Sequence, residues 1–294
     1  MATISIDPAT ILTYEDNLRH ALQQQTSVLS DTVTVGTMQG ERKAFTYIGK
    51  AAMIARDGKA PETQWQDMAF ERRWVARKVF DFSVLLDEYG DIASALKDPT
   101  SDILRAGVMA VKRKHDEIIA TAAFDAVVSG QYGTETKAFP SDNTIPVGTG
   151  STGNVGMNLA KLMAVGEMMA AAGVPEEDEK WVILGKKQVY ELLDDPKVGS
   201  ADYNTVRALA RGEIDSFMGF RFRVYNELAT GTGNIRKCAC WTKNSMQLAI
   251  SDDIKVYPPR EIETRSFQPG MQISTAIDAV RLFDGGVYLI PCQE

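Results

Sequence analysis

Histidine is nearly absent: His20 and His115 are the only two in 294 residues. Histidine-based triads and metal clusters have little material to be built from. Cysteine is as scarce. Cys238, Cys240 and Cys292 leave one thiol over in any intrachain pairing, which argues against a disulfide framework. Cys238 and Cys240 stand two apart, so on a strand they share a face. With so few other ligands they read as small buried hydrophobes rather than a metal site. Long apolar runs are missing too: nothing reaches the ~18 consecutive apolar residues that a membrane span needs, and no membrane partner is expected. Residues 1–8 lack a basic segment followed by an apolar one, so no secretory signal is expected, and synthesis in a cytoplasm follows. There is no basic excess either. The formal net charge is -7, which disfavours a nucleic-acid binder and allows non-specific contact with packed DNA at most.

What is present is an ordinary globular composition, 44% hydrophobic and 24% charged, on a chain long enough for two interleaved subdomains. Ile11, Leu12, Leu18 and Leu22 predict a short amphipathic helix over 9–25. Thr32-Val33-Thr34-Val35 alternates like a strand. Two strand-like runs follow, 43–48 and 70–82, around a polar tip, Arg56-Asp57-Gly58-Lys59-Ala60-Pro61-Glu62, rich in turn formers. The second run mixes charged and aromatic residues on both faces. Its basic residues Arg72, Arg73, Arg77 and Lys78 read as ion-pair partners of a neighbouring subunit rather than as core, and with Arg56, Asp57, Lys59 and Glu62 of the tip they form the candidate intersubunit contact. A two-stranded arm is marginal alone in water, so a neighbour is a natural support.

Apolar residues at helical spacing from Leu104 to Val127 predict one long helix over about 100–129, started by Asp98-Pro99 and stopped by Gly130. At 1.5 Å per residue it makes a rod of roughly 45 Å with one apolar stripe, suited to lie across a sheet. His115 falls among Lys112, Arg113, Lys114, Asp116 and Glu117 and reads as solvated. Residues 131–156 read as a patternless connection. A Met-rich helix over 157–172, a buried strand at 181–184 and a helix over 186–193 give an α-β-α order. Further strands are expected at 220–224, 238–241, 246–250, 254–257, 274–282 and 286–290.

Chemical motifs are few. Gly148-Thr149-Gly150-Ser151-Thr152-Gly153 is a literal G-x-G-x-x-G, but the dinucleotide fingerprint needs a buried strand just before it. Here Pro140 to Val147 is polar and broken by prolines, and no acidic residue closes a second strand at the right distance. The motif reads as a flexible linker. Adjacent carboxylates at Asp194-Asp195, Asp252-Asp253 and Glu176-Glu177 sit in turns, with nothing to converge them on a cleft. No catalytic, cofactor-binding or metal-binding residues are expected, and the chain reads as a building block rather than an enzyme.

The order of elements resembles the major capsid proteins of tailed bacteriophages with the Hong Kong 97-type fold. Lys180-Trp181-Val182-Ile183-Leu184 followed by Val189 to Asp195 is similar to that family's buried strand and acid-ended helix. Gly219-Phe220-Arg221-Phe222-Arg223-Val224 resembles its Gly-led strand. Cys238 to Trp241 with Met246 to Ile250 looks like its paired strands, and Ala279 to Ile290 like its closing hairpin. The resemblance covers about residues 30–292. It implies an α+β fold with an N-terminal arm (1–38), an E-loop hairpin (39–84), a P-domain carrying the spine helix (85–156), an inserted A-domain (157–254) and return strands of the P-domain (255–294).

The same resemblance implies hexamers and pentamers of this chain, closed by rotation into an icosahedral head around double-stranded DNA and assembled in the host bacterial cytoplasm. Some members carry a long N-terminal scaffolding segment. Here little precedes the first strand, so a separate scaffolding protein is expected, beside a portal and room for a decoration protein. Some members also crosslink through an E-loop lysine. Lys59 is at the tip, but no asparagine or acid can be matched to it, and no crosslink is expected. An encapsulin-type nanocompartment, which shares the fold, is the alternative; a dinucleotide-dependent enzyme using Gly148 to Gly153 is a remote one.

Overall fold

The computed structural model describes residues 26–49, 70–85, 99–194, 216–262 and 268–294, with isolated positions between 51 and 68. The helix expected over 9–25 and the hairpin tip at 56–62 lie outside the described residues. By its contacts the chain divides into two units. One comprises residues 1–26, 79–113 and 252–275, the other 27–78, 114–251 and 276–294.

In the first unit, β4 (Lys78–Leu85), β12 (Met246–Ile262) and β13 (Gln268–Arg281) are hydrogen-bonded in the order β12-β13-β4. The two short strands expected at 246–250 and 254–257 are one continuous strand. Helix α1 (Pro99–Ala122) begins in this unit. Gly107 lets it approach closely: a Cβ there would meet the Ile273 side chain at 2.3 Å and Phe82 at 2.9 Å.

The second unit holds most of the core. Its six-stranded sheet runs β10-β11-β7-β9-β8, where β8 is Ser216–Phe217 and β10 is Thr230–Gly231, with β14 (Val287–Gln293) pairing β11. Buried β7 (Lys180–Leu184) lies parallel to β9 (Phe220–Val224) and antiparallel to β11 (Ile235–Thr242). Helices α2 (Leu159–Ala171) and α3 (Lys186–Asp194) contribute Leu162, Val165, Met169, Val189 and Leu192 to the same core. Asn158 caps α2 by accepting a hydrogen bond from the Lys161 amide, and Gly173, at φ 76°, follows its last turn. Lys161 itself is fully buried. Its ammonium donates to the carbonyls of Val155, Gly156 and Pro291 at 2.8–2.9 Å, so all its protons are satisfied. Trp241, also fully buried, donates its indole N–H to the Thr32 carbonyl at 3.1 Å. Thr32 belongs to a short turn, and the first strand, β1 (Thr34–Thr37), begins two residues later than the alternation suggests and lies parallel to the start of β12.

Several sequence expectations need correction. The helix expected to reach residue 129 ends at Ala122. The amides of Ala123 and Asp125 close the last turn on the Ile119 and Thr121 carbonyls, Arg281 donates to the carbonyls of Ala123 and Asp125 just beyond at 2.8 and 3.1 Å, and Val127–Ser129 becomes strand β5. The run 70–82 is two strands, β3 (Phe70–Ala76) and β4, parted at Arg77, which go to different sheets. The connection 131–156 contains strand β6 (Glu135–Lys137), and Thr144 bridges Leu289. Residues 238–241 and 246–250 are not paired with one another, and 279–290 is not a hairpin. A 3-10 turn at Lys243–Ser245 and another at Asp284–Gly286 redirect the chain, so β14 (Val287–Gln293) joins β11 while β13 stays with β12 and β4. His115 is buried at 2% exposure, not solvated. The buried stripe of α1 runs through 107, 111, 115, 119 and 122, at intervals of four and three, and takes His115 with it. Asp116 is buried as well, because its carboxylate accepts the backbone amides of Val28 and Leu29 at 2.9 and 3.0 Å.

Candidate intersubunit surface

The expected contact residues gather on one small sheet. Strand β2 (Arg42–Ile48) pairs antiparallel with β3, β3 with β5, and β5 with β6. Residues directly opposite one another share a face. The register therefore sets Arg42, Ala44, Thr46 and Ile48, with Phe70, Arg72, Trp74 and Ala76, on one face together with Val128 and Thr136. The other face carries Lys43, Phe45 and Tyr47, Glu71, Arg73 and Val75, and Val127, Ser129, Glu135 and Lys137.

The middle of that second face turns inward, with Arg73, Val75 and Val127 buried, while Glu71, Glu135 and Lys137 stay exposed. Arg73 is fully buried, with its guanidinium 3.0 Å from the Asp284 carboxylate and 3.5 Å from Glu71. Asp284 also receives Lys137 at 2.7 Å and Arg281 at 2.8 Å, and its own carbonyl accepts the Asn143 amide at 2.5 Å. One carboxylate thus gathers three cations from β3, β6 and β13. Arg281 in turn lies over the Phe139 ring at 5.0 Å. Burial alone would raise the Asp284 carboxyl, but the hydrogen bonds from Lys137 and Arg281 and the charge of Arg73 outweigh it and hold the group below the usual aspartate value. Tyr47 donates its hydroxyl to Glu71; burial first, and this bond second, push the phenol up to about 12.

Arg73 is accordingly engaged inside its own subunit, contrary to the expectation that it is not core. The other basic residues lie at the surface. Arg72 is exposed, with one contact to the Gln131 carbonyl at 3.4 Å. Arg77 is exposed, and its amide donates to the Glu41 carbonyl. Lys78 meets Asp278 at 3.0 Å but keeps 61% of its side chain exposed. Arg56, Asp57, Lys59 and Glu62 lie outside the described residues. Sequence reasoning missed Asp284, Lys137 and Arg281. The only local signal was the i, i+3 spacing of Arg281 and Asp284, and nothing in the sequence pointed to Arg73 as their companion.

The glycine motif offers no nucleotide cradle. Ser151 closes a turn on the Gly148 carbonyl, with Gly150 at φ 87°. The turn is held by the Asn158 side chain, which donates to the Thr149 carbonyl at 2.8 Å. No strand leads directly into it, and α2 starts only at Leu159, so the motif does not open the helix. Cys238, Cys240 and Cys292 are free and fully buried. Among the described residues no group of three His, Cys, Asp or Glu could hold a metal, and no helix is long and apolar enough to cross a membrane.

Comparison with known proteins agrees with this geometry. The family model described as phage capsid protein matches residues 6–294. No curated protein sequence matches. Among solved structures, the capsid of Ralstonia phage GP4 superposes with a TM-score of 0.74 at 12% identity, covering 100% of this chain and 98% of that one. The cyanophage Pam1 capsid gives 0.73 at 13% identity, over 100% and 99% of the two chains. A Mycobacterium phage Che8 structure gives 0.64 at 16%, over 98% of each. At such identities the likeness shows the fold, the α+β Hong Kong 97-type capsid architecture. With a family model spanning nearly every residue, the chain belongs to the phage capsid protein family and is a major capsid protein of the tailed-phage type.

Proposed function

We propose that this chain assembles with itself into hexamers and pentamers that close into the icosahedral head of a tailed phage around its double-stranded DNA. The observation that carries this reading is the family match over residues 6–294. Whole-chain likeness to capsid subunits of several phages supports it. Capsomer rings need heterologous contacts that close by rotation, and a chain with exposed basic residues on a net charge of -7 has complementary surfaces to offer its own copies. The encapsulin and dinucleotide alternatives find no support in the comparisons.

Within this reading, 1–38 is the arm, 39–84 the E-loop with its flanking strands, 85–156 and 255–294 the P-domain, and 157–254 the A-domain. The tip residues Arg56, Asp57, Lys59 and Glu62, with Arg72, Arg77 and Lys78, make the contacts between subunits. A scaffolding protein, a portal and a decoration protein are the further partners, and assembly takes place in the host bacterial cytoplasm. The chain's role is structural, without catalysis. Electron microscopy of the purified protein tests the reading. Icosahedral shells or capsomer rings are expected; dispersed single subunits under every assembly condition would overturn it.

A further inference from the structure

The turn between β13 and β14 contains Asp284-Gly285, a pair open to a covalent rearrangement that bulkier neighbours obstruct. Glycine has no Cβ to stand in the way, so its amide nitrogen can attack the aspartate Cγ. An N–Cγ bond forms, the Cγ–OH bond breaks, and the amide proton leaves with the hydroxyl as one water. The product is a five-membered succinimide. Water then adds back. Opening at Cγ restores aspartate, whereas opening at the main-chain carbonyl leaves isoaspartate, with the chain running through the side-chain carbon. That product would displace the carboxylate on which Arg73, Lys137 and Arg281 converge.

Both reacting groups are held in the folded chain. Oδ1 of Asp284 accepts from Arg281 Nε at 2.8 Å, and Oδ2 meets Arg73 at 3.0 Å and Lys137 at 2.7 Å. The peptide that would have to swing is held as well. The Asp284 carbonyl accepts the Asn143 side-chain amide at 2.5 Å and the Val287 main-chain amide, and the Gly285 carbonyl accepts the Tyr288 hydroxyl at 3.0 Å. Ring closure must turn carboxyl and peptide towards each other, against bonds on both. Burial would favour the neutral acid, but the Lys137 and Arg281 hydrogen bonds and the Arg73 charge keep the group ionised. A carboxylate is a poor electrophile and has no hydroxyl to lose. We propose that Asp284-Gly285 is a latent isoaspartate site, kept from reacting by the grip of Arg73, Lys137 and Arg281 and by the Asn143 bond. Packing does not demand the first glycine. A Cβ on Gly285 would lie 3.4 Å from the Ala172 Cβ, at van der Waals distance, whereas one on Gly286 would come 1.8 Å from Ser245 Oγ.

The test ages the purified full-length protein warm at neutral pH and reads isoaspartate at position 284 by peptide mapping. In guanidinium chloride the pair should react as fast as Asp57-Gly58, the chain's other Asp-Gly pair. In folded wild type it should react about tenfold more slowly or less, because closure then waits for local opening. Lys137→Met removes a cation whose side chain is 48% exposed and should speed the folded reaction about fivefold, while Lys137→Arg stays slow. Adding Gly285→Ala to Lys137→Met should bring the rate back down. Lys161→Met weakens the fold elsewhere and leaves the grip intact, so position 284 should stay slow in it. A folded wild type that reacts as fast as the unfolded chain would overturn the inference, as would a Lys137→Met chain no faster than wild type. Equal acceleration in Lys161→Met and Lys137→Met would overturn it too, since protection would then be a matter of global stability alone. None of these readings depends on assembly, so their failure leaves the proposed function standing.

Discussion

Arg73 on β3 and Asp284 beyond β13 are 211 positions apart in the chain and 3.0 Å apart in the subunit. Their ion pair is nearly dry: the arginine side chain is 1% exposed and the aspartate 15%. A buried pair of this kind contributes little over a well-packed apolar pair, but removing one member strands the other. Asp284→Asn removes the one anion that Arg73, Arg281 and Lys137 share. We expect the isolated subunit to lose about 3–5 kcal/mol, read as a lower urea midpoint.

The same carboxylate sets an acid limit. Its folded value lies below the ordinary 3.8, despite burial, because Lys137, Arg281 and Arg73 favour the charged form. A depressed carboxyl contributes stability that is complete above its unfolded value and is lost as pH falls through the folded one. Wild type should therefore lose stability in acid below the usual aspartate range, and the deficit of Asp284→Asn relative to wild type should shrink there. Urea titrations at neutral pH and in that acid range measure it; a deficit that stays constant would show that the carboxylate charge is not what matters.

Lys161 ties three segments together through the carbonyls of Val155, Gly156 and Pro291. Lys161→Met keeps the length of the side chain and leaves those acceptors without their donor. A cost of about 2 kcal/mol is expected, read in thermal or urea unfolding. Amide exchange should rise locally at Gln293, whose N–H bonds the Val155 carbonyl at 3.1 Å, before it rises elsewhere.

At Gly156 a Cβ would come 2.1 Å from the Glu191 carboxylate. That carboxylate accepts the Met157 amide at 2.8 Å. Gly156→Ala must push Glu191 away and so breaks this bond, at an expected cost of about 1–3 kcal/mol. The double variant Gly156→Ala with Glu191→Ala should cost less than the sum of the two single changes, because each removes what the other disturbs.

The three thiols should be silent in the native subunit. Burial pushes the Cys240 thiol up, away from the reactive thiolate. A thiol-reactive dye should label none of the three in folded protein and all three in denaturant; rapid native labelling would contradict their burial.

Much of this was legible in the residues. The run Trp181 to Leu184 is a buried strand, Leu159 to Ala171 falls within the helix expected over 157–172, and Phe220 to Val224 is a strand, because apolar periodicity specifies them from within. The end of α1 was not legible. Apolar spacing continues past Ala122, but Arg281 holds the Ala123 and Asp125 carbonyls just beyond the helix and β3 recruits residues 128–129. His115 misled for a similar reason: charged neighbours in sequence say nothing of which stripe a helix buries.

For the site, the sequence by itself determined that two adjacent arginines stand between aromatics in residues 70–74, and that histidine and cysteine are too few for most chemistry. Only the tertiary structure decided which arginine is which. Strand alternation sends Arg72 and Arg73 to opposite faces. Which of those faces becomes interior depends on where Asp284, Lys137 and Arg281 arrive, from segments more than sixty and more than two hundred residues away. Local pattern fixes the two-residue period of a strand, but not which side of it a distant carboxylate will occupy.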